Sequence, residues 1–274
     1  MKRNLSLRPR SEIPAAKALG QHFLADERMI DHMVRAIFPR QGEAIFEIGA
    51  GLGALTLPVL ERCGAMMAVD FDERVIARLR AKALSVGKLD LLYGDFLELR
   101  LADLAKPQPA DKWRVIGNLP YNLSSPILIH CLEQRDAIQD MHFMLQKEVV
   151  DRICAEPDSK DFGRLSLLIQ RFCEPEYLFD IPPEAFDPPP KVDSAVVRLT
   201  VLPQSRWDID DESAFDFITR TAFTQRRKML RKSLGAWFSE REFEDLGINP
   251  TARPENLGGE MFAVLANALA KRGR

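Results

Sequence analysis

The chain has 274 residues, 46% hydrophobic and 28% charged, a balance that provides one sizeable core and a smaller second one and excludes a disordered or fibrous protein. No stretch approaches the roughly 20 apolar residues of a membrane-spanning helix, so a soluble protein with no membrane partner is expected. The net charge of −2 excludes nothing about nucleic acid, because Arg220, Arg226, Arg227, Lys228, Arg231 and Lys232 cluster between Ile218 and Phe238 with no acid among them.

The opening MKRNLSLRPR is basic and lacks the apolar stretch of a secretory signal; a flexible basic arm is preferred to a transit peptide. Asp26 precedes Met29, Ile30, Met33, Val34 and Ile37 at helical spacing, which reads as a capped amphipathic helix. AIFEIG (44–49) is a buried strand, followed by a Gly-rich turn and a helix from about Ala54 to Arg62. MMAVD (66–70) is a second strand and Glu73 to Leu84 a second helix. KLDLLYGD (88–95) and WRVIGN (113–118) continue the series, Ser125-Pro126 opens another helix, and DMHFMLQ (140–146) is a fifth strand.

Parallel neighbours need a crossover, so this alternation implies a doubly wound α/β domain with helices on both faces. EYLFDI (176–181) and VDSAVVRLTV (192–201) have no helix between them and are expected to run antiparallel, completing one edge of the sheet. Beyond Pro203 the pattern is helical only, with a capping box at Ser239 and Glu242 and a helix end at Gly247 and Pro250. The expected division is residues 1–203 and a small all-helical domain, 204–274.

Cys63, Cys131, Cys154 and Cys173 form no C-x-x-C pair and have no His at ligand spacing, so no metal is expected and reduced thiols in a cytoplasmic protein fit. Glu47-Ile48-Gly49-Ala50-Gly51-Leu52-Gly53 lies where the first strand turns into a helix, and its glycines permit a tight turn and close approach of a ligand. Asp70 ends the second strand, where an acid accepts hydrogen bonds from ribose hydroxyls. That arrangement serves nicotinamide dinucleotides and S-adenosyl-L-methionine alike. The turn lacks G-x-G-x-x-G spacing, and Glu47 repels phosphate while suiting a cationic amino-acid ligand, which favours S-adenosylmethionine. Asp95, after the third strand, is placed to accept from an adenine amino group; alone it would read as a turn or N-cap residue.

Asn118-Leu119-Pro120-Tyr121 follows the fourth strand, at the carboxyl end where open α/β sheets place their chemistry. An exocyclic adenine amine is a poor nucleophile because its lone pair is delocalised. The Asn118 side-chain oxygen and the Leu119 carbonyl can accept its hydrogens and localise that pair, Pro120 fixes the backbone, and Tyr121 offers a face for an unstacked base. Phe186, before the Pro run 188–190, is expected to present a second aromatic face from a loop.

Gly20-Gln21-His22-Phe23-Leu24, EIGAGLGALT, AVDFD, GDF, NLPY, MHFMLQKEV, FDPPPKVDSAVVRL and AFTQRRKMLRKSL, in that order, closely resemble the ribosomal RNA adenine N6-dimethyltransferase family, on its bacterial small-subunit, kasugamycin-resistance branch. The resemblance implies a Rossmann-like class I methyltransferase sheet with an antiparallel edge strand, plus a helical RNA-binding domain. It implies dimethylation of N6 of two adjacent adenosines in a hairpin loop near the 3′ end of small-subunit rRNA. The implied partner is that rRNA within a pre-assembled small ribosomal subunit, and the default oligomeric state is monomer. It assigns Gln21, His22 and Leu24 to the cofactor beside Glu47, Gly49, Gly51, Asp70, Asp95 and Asn118; Asn118, Leu119, Pro120, Tyr121 and Phe186 to the adenine pocket; and Arg226, Arg227, Lys228 and Arg231 to RNA. Leu19 and His22 stand where an aromatic and an asparagine are more usual, and Asp70 replaces the usual Glu.

Overall fold

The computed structural model describes residues 22–272, which divide into two compact units. One takes the described residues up to Lys147 with Tyr177–Leu199; the other takes Glu148–Glu176 and the described residues from Thr200 onward. The expected boundary at 203/204 therefore falls inside the second unit. The physical reason is packing: Ala155, Phe162 and Leu167 enter the same apolar core as Phe215, Phe243 and Phe262.

The elements of the first unit run β1 (Phe23–Leu24), α1 (Glu27–Ile37), β2 (Ala44–Ile48), α2 (Thr56–Cys63), β3 (Ala65–Asp70), α3 (Glu73–Ala83), β4 (Lys88–Tyr93), β5 (Trp113–Asn118), α4 (Ser124–Glu133) and β6 (Ile138–Gln146). Later strands are β7 (Cys173–Ile181), β8 (Phe186–Asp187) and β9 (Ser194–Val201). Seven of them form one sheet in the order β4-β3-β2-β5-β6-β9-β7, mostly parallel with an antiparallel strand. β2 is buried at all five positions and apolar at all but Glu47, as expected of a strand covered on both faces. β2 pairs parallel with β3 on one side and β5 on the other, so the strand order reverses there. Glycine and asparagine at the two strand ends meet at that reversal.

The sequence pattern named these elements to within a few residues. Asp26 caps α1 as expected, its Oδ1 accepting from the Arg28 and Met29 amides at 2.9 and 3.3 Å. α4 starts at Ser124 rather than after a Ser125 cap; Ser124 Oγ donates back to the Tyr121 carbonyl at 2.9 Å. The sheet's foot is fixed by Arg114, buried on β5, which pairs with Glu43 at 2.8 Å and Asp140 at 3.1 Å and donates to the Ile37 carbonyl at the end of α1 at 2.8 Å. A cation on a helix's last carbonyls complements its dipole as well as satisfying an otherwise orphaned acceptor. One element was not expected: β1 and β8 form a separate two-stranded antiparallel ribbon, pairing Phe23 with Asp187 and Leu24 with Phe186.

The second unit holds α5 (Lys147–Ile153) from its second residue, α6 (Arg164–Phe172), α7 (Glu212–Thr224), α8 (Leu230–Ser233), α9 (Glu240–Asp245) and α10 (Gly259–Ala270). The Ser239 and Glu242 capping box is present, and Gly247, at φ 73°, ends α9. Arg171 on α6 clasps Glu212 at the start of α7 with two bonds of 2.5 and 2.6 Å. Among the described residues no helix is long and apolar enough to cross a membrane.

Candidate active site

A cavity of about 200 Å³ lies over the carboxyl ends of β2 and β5, walled by the glycine turn, Asp70, Asn118 to Tyr121, Met144 and the His22 to Ala25 segment. The turn owes its shape to Gly49, Gly51 and Gly53, at φ 76°, 51° and 87°. Its amides are already engaged: Gly49 and Ala50 donate to the Val69 carbonyl at 2.9 and 3.3 Å, Gly53 donates to the Ala50 carbonyl at 3.0 Å, and Gly51 donates to Asp70 Oδ2 at 2.8 Å. With four of its N–H groups engaged internally, the turn has little cradle to offer a pyrophosphate. The dinucleotide alternative loses its main support.

Glu47 is 2% exposed, and its Oε2 has no hydrogen-bond partner among the described residues although it lines the cavity. Burial pushes its carboxyl up to about 8, with the Thr56 hydroxyl opposing and the Asp70 charge adding to the rise. A sealed, unpartnered acceptor beside an open cavity fits a cationic group, and the ammonium and sulfonium of S-adenosylmethionine are of that kind. Asp70 is also raised by burial, opposed by the Asp72 and Gly51 amides that it accepts from at 2.9 and 2.8 Å. Its short side chain is thereby drawn onto the glycine turn, yet it still lines the cavity.

Asn118 Nδ2 donates to the His22 carbonyl at 3.0 Å, and Oδ1 makes no hydrogen bond among the described residues. The amide is thus oriented with its acceptor unclaimed. The Tyr121 hydroxyl shares a 2.7 Å hydrogen bond with Ser194 Oγ, a fully buried partner on β9. Burial raises the Tyr121 phenol, with Ser194 opposing. The His22 ring lies 5.6 Å from the Tyr121 ring at 25°, and its Nδ1 donates to the Pro188 carbonyl at 2.8 Å.

A profile of the family described as Ribosomal RNA adenine dimethylase matches residues 14–271. The chain belongs to that family. Ribosomal RNA small subunit methyltransferase A of Dichelobacter nodosus is 57% identical over 259 residues, 94% of this chain and 97% of its own length. A dimethyladenosine transferase from Plasmodium falciparum superposes with a TM-score of 0.77 at 23% identity, over 92% of this chain and 98% of that one. The 23S rRNA methyltransferase ErmE superposes with a TM-score of 0.69, also at 23% identity, over 90% and 99% of the two chains. The two structures bear on fold alone.

Of the residues singled out in the sequence, His22, Leu24, Glu47, Gly49, Gly51, Asp70, Asn118, Leu119, Pro120 and Tyr121 come together around this one cavity. Gln21, like Leu19, lies outside the described residues. Asp95 does not line the cavity: it is exposed and caps a short turn, its Oδ1 accepting from the Leu97 amide at 2.9 Å. Phe186 departs from expectation. At 3% exposure it is packed with Leu24, Ile181 and Val196 in the core, because pairing on the β1–β8 ribbon turns its ring inward. Its neighbour Asp187 lines the cavity instead. Ser194 was visible only as part of a motif, and the ring contact of His22 with Tyr121 had no signal, since 99 residues separate the partners.

The basic cluster of the second unit is less uniform than its sequence. Arg226 donates to Glu255 at 2.7 Å and to the Ser159 and Lys160 carbonyls, and Arg231 pairs with Glu240 at 3.0 Å. Arg227, Lys228 and Lys232 are exposed and make no ion pair among the described residues.

Proposed function

We propose that this protein is an S-adenosylmethionine-dependent dimethyltransferase of adenine N6 in small-subunit ribosomal RNA, acting during subunit assembly in the cytoplasm. The observation that carries the chemistry is the oriented Asn118 amide, whose Oδ1 stands unclaimed at the rim of a cavity that Glu47 suits to a cation. Membership of the family supports adenine dimethylation, and the 57% identical relative, named for the small subunit, supports that substrate over the large-subunit RNA named for ErmE.

Bound S-adenosylmethionine supplies an electrophilic methyl group. Glu47 holds the cationic part of the cofactor and Asp70 the ribose, with Gly49 and Gly51 allowing close approach of the backbone. Asn118 Oδ1 and the Leu119 carbonyl accept the hydrogens of the adenine amine and localise its lone pair, while Tyr121, pinned by Ser194, supports the base. No side-chain general base is required, because the methylated nitrogen is acidic enough to release its proton to water. Arg227 and Lys228 make the phosphate contacts, because Arg226 and Arg231 already serve acceptors within the protein.

Transfer of a labelled methyl group to unmethylated small subunits, compared with unmethylated large subunits, tests this. Label in the small subunit is expected; label only in the large one would overturn the substrate assignment.

A further inference from the structure

Enzymes that modify a base hold it, once unstacked, between aromatic or apolar surfaces. Phe186 is sealed in the core, and the ring stacked beside Tyr121 at the cavity is His22, near-parallel at 25° and 5.6 Å away. Resting on the adenine methyltransferase reading above, we propose that His22 is the second wall of the target-base pocket, a movable ring that swings away from the fixed ring of Tyr121 to admit the flipped adenine between them.

The two walls are mounted differently. Tyr121 is hydrogen-bonded at 2.7 Å to Ser194, fully buried on a strand of the seven-stranded sheet. His22 immediately precedes β1, whose strand partner among the described residues is β8, and its ring donates a 2.8 Å hydrogen bond to the Pro188 carbonyl. Stacked planes are spaced roughly 3.4 Å apart, so a base between two rings needs about 7 Å, roughly 1.4 Å more than the present 5.6 Å. A displacement of that size is taken up by the two-residue ribbon without disturbing the sheet that carries Asn118 and Tyr121.

The same residue couples stacking to chemistry. The His22 carbonyl accepts from Asn118 Nδ2 at 3.0 Å, which leaves Asn118 Oδ1 as the acceptor for the adenine amine. Stacking of the ring on the base and orientation of the acceptor thus belong to one segment. The resemblance assigned His22 to the cofactor; the geometry gives its side chain a different neighbour.

The experiment uses the intact protein, His22→Ala and His22→Phe, measuring methyl transfer to unmethylated small subunits and, separately, S-adenosylmethionine binding by calorimetry. Loss of one stacking ring costs on the order of tenfold. His22→Ala is expected to lose about tenfold in kcat/KM for the subunit with cofactor Kd changed less than threefold, and His22→Phe to recover most of that loss. The proposal is overturned if His22→Ala matches wild type, if His22→Phe fails as badly as alanine, or if the cofactor Kd weakens in step with activity. A wild-type protein that binds the cofactor and transfers nothing to the subunit would instead overturn the underlying reading, and this inference with it.

Discussion

Asn118 and Glu47 carry the most exposed claims at the scale of single residues. Removing a preorganised acceptor from a transition state costs on the order of 100-fold or more, so Asn118→Ala should lower kcat by at least that factor while thermal unfolding stays near wild type. Glu47 gives a pH signature. Folded, it keeps its proton until about pH 8; unfolded, it loses it near the ordinary 4.5. Between those values the unfolded chain binds fewer protons, so the ligand-free protein loses stability as pH rises through this window and levels off above about 8. Glu47→Gln should flatten that slope in melts from pH 5 to 8.5; an unchanged slope would assign it to other groups. Affinity for S-adenosylmethionine should run the opposite way, tightening toward pH 8 as the carboxylate forms. The gathering of Asn118, Leu119 and Tyr121 at the cavity was legible because it follows from their place at a strand end. Phe186 was not, because a phenylalanine beside prolines looks the same in sequence whether its ring faces a cavity or a core.

Strand and helix positions were legible for a related reason: the buried strands β2, β3 and β5 are mostly apolar, interrupted by Glu47, Asp70, Arg114 and Asn118, and each is bounded by residues that cap or turn. The β1–β8 ribbon was not, since two residues carry no periodicity, and its pairing joins segments more than 160 residues apart. Close packing between β2 and β5 yields a test at this scale. A Cβ at Gly117 would lie 2.6 Å from the Ile48 carbonyl oxygen and 3.0 Å from Leu119 Cδ2. Gly117→Ala should therefore destabilise the fold by about 1–3 kcal/mol and reduce transfer, since Leu119 lines the cavity and Ile48 lies between Glu47 and Gly49, which also line it. Gly94→Ala, with nothing within 4 Å, should be near neutral in the same denaturant titration. Equal midpoints for the two variants would refute the packing argument.

For the whole molecule, composition and motif order were enough to anticipate an α/β sheet followed by helices, whereas the division into units was not, because residues 148–176 precede the last sheet strands yet pack with the C-terminal helices. The net charge likewise concealed a basic cluster in which, among the described residues, Arg227 and Lys228 make no ion pair and Arg226 does. Replacing Arg227 and Lys228 by Gln should weaken binding to small subunits and reduce the salt slope by about 1 to 2 units, while Arg226→Gln should lower the Tm. An unchanged salt slope would remove the phosphate contacts from this cluster. The most direct test of the whole account is mass spectrometry of the 3′ fragment of unmethylated small-subunit rRNA, in assembled particles, after incubation with the protein and S-adenosylmethionine, beside Asn118→Ala. Two adjacent dimethyladenosines, absent with the variant, are the expected result; an unmodified fragment, with particle binding intact, would contradict the account and leave a binding protein without catalysis.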